Sequence, residues 1–282
     1  MQIGDLVALI GEMLAAAGVP HATAEARDLV AAVSEQSRFW PSLHSQVGAT
    51  PRVVDLAQSA ARRRASGMPF AYAVGRAPFR HLTLRVDERV LIPRQETEVL
   101  VDLVLRHRHA RGGVAADVGT GSGAIALALA SEGHFDRIVA TDVAADAIAL
   151  ARDNANVLAD KAAVVAFRTG DLLAPLVGAT LDVLVSNPPY IAFDEAAELP
   201  ASVRDWEPGH ALFSGEHGLA ATRRIIDGAP ALLCNGGLLA LEVDSRRGRQ
   251  VAGLVASGGA FNEIELHQDL AGRDRFVLAV RN

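Results

Sequence analysis

Apolar residues in the first 67 positions recur at steps of three and four. Leu6, Leu9, Ile10, Met13 and Leu14 fall on one helical face, and Leu29, Val30 and Val33 continue the pattern in a second helix. Thr50-Pro51 reads as a helix start, a capping residue followed by proline at the first helical position. The helix it opens runs through Ala60-Ala61-Arg62-Arg63-Arg64 to a stop at Gly67, with the arginine run read as a solvated face. Residues 1–67 are expected to form an all-helical N-terminal domain.

Between Gly67 and Pro93 the period changes. Leu82, Leu84 and Val86 alternate with polar residues after the turn chemistry of Gly75-Arg76-Ala77-Pro78, so residues 68–93 are expected to be a β-hairpin linker. Val99, Leu100, Leu103 and Val104 then mark a helix closed by Arg106-His107-Arg108-His109, cationic or titratable groups at the negative end of its dipole. From Val114 onward strand and helix patterns alternate. Strands are predicted at Val114–Val118, Arg137–Thr141, Val164–Arg168, Leu181–Ser186, Leu238–Val243, Ile264–His267 and Phe276–Val280. The pattern predicts an α/β fold over 94–282, a doubly wound and mainly parallel sheet. The segment Gln268–Arg275 is too short for a crossover helix, so the last two strands are predicted to be antiparallel.

Candidate chemistry gathers at the predicted strand ends. Gly119, Thr120, Gly121, Ser122 and Gly123 follow the first strand of the alternating region and open a helix, the arrangement that brings backbone N–H groups close to a nucleotide-type ligand. Asp142 ends the second strand, where a carboxylate accepts from ribose hydroxyls. At that point a nicotinamide dinucleotide and S-adenosylmethionine both remain viable. Asp171 and Leu172 end the third strand, placed to accept from an adenine amino group and to pack on its ring. Asn187, Pro188, Pro189 and Tyr190 stop the fourth strand abruptly, because neither proline has an N–H to continue it.

A nicotinamide enzyme has no general use for that stop; a methyltransferase acting on a planar nitrogen does. An amide or exocyclic amino group is a poor nucleophile, yet both of its N–H groups need acceptors when buried. The Asn187 side-chain oxygen and the Pro188 carbonyl can supply them, and Tyr190 can cover the π-system.

Composition narrows the class. The net charge is −6, so a basic nucleic-acid footprint is absent from the chain as a whole. The one cysteine, Cys234, lies in an apolar run read as helical and is expected to be a buried structural thiol. No Cys/His cluster has metal-ligand spacing, so no metal is expected. The N-terminus lacks a basic segment followed by an apolar core, and no stretch approaches the ~18 apolar residues of a membrane span. A soluble, cytoplasmic protein is expected, without membrane association or direct nucleic-acid binding.

The chain resembles the HemK/PrmC protein-glutamine N5-methyltransferases. The resemblance rests on "GMPFAYAVGRAPFRHLTLRVDERVLIPRQETE" (67–98), "DVGTGSGAIALALA" (117–130), "ATDVAADAIALARDNA" (140–155), "GDLL" (170–173) and "VSNPPYI" (185–191). Two further stretches are more telling, "WEPGHALFSGEHGLAATRRII" (206–226) and "DLAGRDRFVLA" (269–279), since Asn-Pro-Pro-Tyr also occurs in adenine-N6 and guanine-N2 methyltransferases. The resemblance implies a class I, Rossmann-like methyltransferase fold with a seven-stranded sheet. It implies that Gly119, Thr120, Gly121, Ser122, Gly123, Asp142, Asp171, Leu172 and Asn187 bind S-adenosyl-L-methionine. It also implies that Asn187, Pro188, Pro189 and Tyr190 hold the Gly-Gly-Gln glutamine of class I peptide chain release factors, which the helical domain would help to dock. Two alternatives stay open: a methyltransferase on exocyclic amino groups of nucleic acid, and a non-catalytic paralogue that keeps the cofactor.

Three departures stand out. Gln95 replaces the family's usual proline in "PRQETE" and is expected to loosen the segment that closes over the cofactor. Asp244 replaces a usual glycine in "LEVDS" and is expected to be a tolerated surface change. Residues 36–50 match the family only loosely.

Overall fold

A computed structural model describes residues 1–282, the side chains of 159 and 160 excepted. The chain divides into two compact units, residues 1–77 with 200–206, and residues 78–199 with 207–282.

The first unit is helical. Helices Ile3–Ala16, Ala22–Val33 and Pro51–Ala65 are joined by short helices at Trp40–Leu43 and Phe70–Val74. Ile3, Leu6, Ile10 and Leu14 of the first helix bury against Leu29 and Val30 of the second. The third contributes Ala57, Ala60 and Ala61, whose small side chains let the helices approach closely. Thr50 caps that third helix by accepting from the Val53 N–H at 3.3 Å, with Pro51 at its first position. The arginine run is more than a solvated face. Arg63 Nη2 donates to the Ala73 carbonyl at 2.6 Å, and Arg64 Nε to Glu25 at 2.5 Å. Side chains long enough to reach back across a small alanine-rich bundle act here as ties.

The second unit begins within a hairpin, β1 (Arg76–Phe79) with β2 (Leu82–Arg85). Its sheet contains β3 (Val114–Val118), β4 (Arg137–Asp142), β5 (Val165–Thr169), β6 (Leu181–Ser186), β7 (Leu233–Glu242), β8 (Phe261–Gln268) and β9 (Asp274–Arg281). The order is β5-β4-β3-β6-β7-β9-β8. β3 to β7 are mutually parallel, while β9 runs antiparallel to both β7 and β8. Alternate strand residues serve opposite faces, as the two-residue period requires. Val183, Val185, Leu238 and Ala240 pack under helices Gln95–Arg106 and Ala124–Glu132. Leu184, Leu239 and Leu241 pack under Ala220–Gly228 and Gly248–Ser257. This is the Rossmann-like class I methyltransferase architecture, and it brings the carboxyl ends of β3 to β6 to one edge.

β7 begins at Leu233, five residues before the predicted start, and this corrects the reading of Cys234. The thiol lies on a strand rather than a helix. It is half-buried rather than buried, and it approaches Asp182 Oδ1 at 3.6 Å. Gly236, at φ 79°, supplies the backbone turn that admits the extra length. Among the described residues, no helix is long and apolar enough to cross a membrane.

Candidate active site

The loop after β3 is tied to the end of β4 by backbone hydrogen bonds. Gly119 and Thr120 both donate their N–H to the Thr141 carbonyl at 2.8 Å. Gly119 (φ 74°) and Gly121 (φ 54°) lie in the left-handed region, and a Cβ on either would meet nothing within 4 Å. Backbone conformation, not crowding by protein, makes glycine necessary there. Asp142, at the end of β4, accepts from Gly121 N at 2.9 Å and Ala144 N at 3.0 Å, so its two oxygens are fixed in direction. Each oxygen keeps a lone pair for a further donor.

Beneath the loop lies Asp117, fully buried on β3. Its Oδ2 accepts from the Thr120 hydroxyl at 2.6 Å and from Ala126 N at 3.0 Å, while Oδ1 has no partner. Burial pushes its pKa up to about 7, against the pull of those two bonds. Asn154 braces the loop from the side. It donates to the carbonyls of Ser122 at 2.9 Å and Arg85 at 3.0 Å, and accepts from Arg85 N at 2.8 Å.

The other wall is built from the strand stop after β6. Ile191 N donates to the Leu212 carbonyl at 3.0 Å, and Ser214 N donates to the Ile191 carbonyl at 2.8 Å. The segment 209–215 is therefore the backbone partner of the chain leaving the two prolines, which explains why the two stretches belong together. Phe193, 68% exposed, stacks on Phe213 with ring centres 5.6 Å apart. Tyr190 is half-buried; burial raises its hydroxyl pKa and the Glu242 charge adds to the effect.

Between these walls is a cavity of about 280 Å³. Of the residues singled out from sequence it is lined by Gly119, Gly121, Asp142, Asp171, Leu172, Asn187 and Pro189. Thr120, Ser122, Gly123, Pro188 and Tyr190 are not among its lining residues; Thr120 and Ser122 are buried within the loop. Leu172 adopts φ 46°, and Asp171 Oδ2 accepts from Arg224 Nη2 at 2.7 Å. The reading of the residues missed Arg89, Val90, Leu91, Val143, His210, Phe213 and Arg224 in the lining. All seven lie in stretches that carry the family resemblance: Arg89, Val90 and Leu91 in 67–98, Val143 in 140–155, and the other three in 206–226. Thr97 and Glu242 were also missed; they touch Asn187 from behind through the Thr97 hydroxyl. Among the described residues, no group of three His, Cys, Asp or Glu side chains could hold a metal ion.

Asp244 is not a surface change. It is 6% exposed and accepts from Arg246 N at 2.8 Å and from the guanidinium groups of Arg246 and Arg247. Arg247 also pairs with Glu195, so a carboxylate here helps anchor the turn Phe193–Glu198. Gln95 is exposed at the first position of its helix, the one place where proline and a residue with an N–H are nearly interchangeable.

Comparison with known proteins fixes the family. Residues 5–75 match the PrmC N-terminal domain, and residues 95–200 the methyltransferase small domain. A release factor glutamine methyltransferase from Moorella thermoacetica is 43% identical over 95% of this chain and 94% of its own. The chain belongs to the release factor glutamine methyltransferase family. Another member, from Cereibacter sphaeroides, is 38% identical over 99% of this chain and 98% of its own. A solved methyltransferase from Pyrococcus furiosus, 19% identical over 71% of this chain and 88% of that one, shares the fold with a TM-score of 0.52. The family's cofactor is S-adenosyl-L-methionine. The residues present fit it: two left-handed glycines open onto the cavity, and carboxylates stand at the ends of β4 and β5.

Proposed function

We propose that this chain methylates the side-chain amide nitrogen, N5, of the glutamine in the Gly-Gly-Gln motif of a class I peptide chain release factor. The observation that carries the reading is the state of Asn187. Its Nδ2 donates to Thr97 Oγ1 at 3.1 Å, which leaves Oδ1 as the acceptor offered to the cavity it lines.

In this reading Asp142 receives the ribose hydroxyls, while Asp171 and Leu172 receive the adenine. Gly119, Thr120, Gly121, Ser122 and Gly123 form the loop that lets the backbone come close. Bound S-adenosylmethionine supplies an electrophilic methyl group on a sulfonium. Asn187 Oδ1 and the Pro188 carbonyl take the two N–H bonds of the glutamine amide, and Tyr190 covers its planar face. Two fixed acceptors hold the nitrogen lone pair along one line. Orientation of this kind is worth up to ~7–11 kcal/mol in ideal intramolecular cases. With the cofactor bound, the N–C bond would form as the methyl–sulfur bond breaks, its electron pair staying on sulfur as a neutral thioether, and one N–H proton would leave to solvent on the side of the two acceptors. Pro189 stiffens the turn, so the acceptors need not be ordered at the moment of reaction. The helical region 1–67 is assigned to docking of the folded factor, and the activity belongs in the cytoplasm, where translation terminates.

The test uses labelled S-adenosylmethionine with a class I release factor and with a copy whose Gly-Gly-Gln glutamine is replaced. Label on the first alone is expected. Label on both, or on neither, overturns the reading.

A further inference from the structure

We infer that Thr97 and Glu242 are positioning residues that hold the Asn187 carboxamide with its oxygen toward the substrate. The inference rests on the glutamine-methylation reading and adds to it a reason why the amide does not turn over.

Three elements meet here. Thr97, 5% exposed, sits in the first turn of the helix Gln95–Arg106; Glu242, 1% exposed, closes β7; Asn187 follows β6. Thr97 Oγ1 donates to Glu242 Oε2 at 2.7 Å, and Asn187 Nδ2 donates to Thr97 Oγ1 at 3.1 Å. A threonine hydroxyl has one proton and a carboxylate has none. With that proton given to Glu242, the hydroxyl shows Asn187 only lone pairs. The NH2 end of the amide must then face Thr97, and the oxygen end is left for the cavity.

Adding a proton to Glu242 removes this direction. The acid can donate to Thr97, Thr97 can turn its own proton toward Asn187, and the flipped amide would present NH2 to the substrate NH2. Burial pushes the Glu242 pKa up to about 7, opposed by the Thr97 bond and by the charges of Arg275 and Arg94, and aided by Glu96. Tyr190 is a further titratable neighbour and feels the Glu242 charge, as it does that of Asp244. Turnover should therefore fall as the pH drops through about 7, with cofactor affinity unchanged.

The test compares wild-type enzyme with Thr97→Val, Thr97→Ser and Glu242→Gln on a class I release factor. Thr97→Val is expected to lower kcat at least about tenfold, with KM for the factor and cofactor Kd within about twofold; Thr97→Ser, which keeps the hydroxyl, stays within about threefold. The acid limb of the wild-type rate profile is expected to vanish in Glu242→Gln. In nitrogen-15-labelled protein, the Asn187 side-chain amide signals, assigned by their loss in Asn187→Asp, should shift in Thr97→Val. Wild-type kcat in Thr97→Val, or unmoved Asn187 signals, overturns the inference. Should the wild-type enzyme label no release factor, the substrate reading fails by itself, and the Asn187 signals alone decide the relay.

Discussion

Gly218 lies directly against the Tyr190 carbonyl oxygen. A Cβ at this glycine would overlap that oxygen, and its φ of 86° is one that L side chains rarely adopt. Glu216 and His217, immediately before it, also have positive φ, 51° and 54°. A left-handed run of three residues thus presses on the chain just after the two prolines. Gly218→Ala is expected to lose about 2 kcal/mol or more of stability, since neither backbone can give way freely. His217→Gly, which relieves a strained residue without touching Tyr190, should stay within about 1 kcal/mol of wild type. Chemical unfolding of both variants checks the contrast.

Asp171 and Arg224 form an ion pair in the cavity wall, both more than half exposed. If Asp171 receives the adenine amino group, that donor competes with the guanidinium. An exposed pair is worth about 0–1 kcal/mol, so Arg224→Ala should tighten cofactor binding by no more than about fivefold at low salt. The gain should shrink as salt rises, because screening weakens the competing pair. Calorimetric titration at two ionic strengths reads both effects, and weaker binding in Arg224→Ala would instead make the arginine a cofactor contact.

The strand ends were legible in the sequence because each couples a short apolar run to a residue with obvious chemistry. Asp142, Asp171 and Asn187 all line one cavity, as that coupling implies. Thr97 was not legible. A threonine in the first turn of a helix is ordinary until folding brings it to Asn187 and Glu242, residues separated from it by 90 and 145 positions. Cys234 failed for another reason: a four-residue apolar run has no period to distinguish helix from strand. Asp244 was read from the residue it replaces, whereas its burial depends on Arg246, Arg247 and the distant Glu195.

Asp117 and Glu242 are buried carboxyls whose pKa values are both pushed up to about 7, from ordinary values of 3.8 and 4.5. Between those limits the folded chain holds protons that the unfolded chain has released. Their contribution to stability is therefore greatest in acid and declines as pH rises toward 7. At about 1.4 kcal/mol per pKa unit, Glu242 alone accounts for a loss of order 3 kcal/mol by neutral pH. Glu242→Gln removes the titration, so its melting temperature should exceed wild type at pH 8 and match it near pH 4. A constant difference across that range would mean that the carboxyl does not titrate there.

Asp142 serves two partners of different kinds, the backbone of its own loop and, in the proposed function, the cofactor's ribose. Asp142→Ala removes the acceptors for Gly121 N and Ala144 N together with the ribose contact. Cofactor affinity should fall by roughly 1.5–3 kcal/mol, the range of hydrogen bonds to a charged group. Asp142→Asn keeps one acceptor oxygen but puts an NH2 where the second stood, opposite one of the two amide donors. Its affinity should therefore lie no higher than midway between wild type and Asp142→Ala. Calorimetry separates the outcomes: equal affinity in all three proteins would remove Asp142 from the cofactor site, while loss in Asp142→Asn alone would assign it to loop geometry.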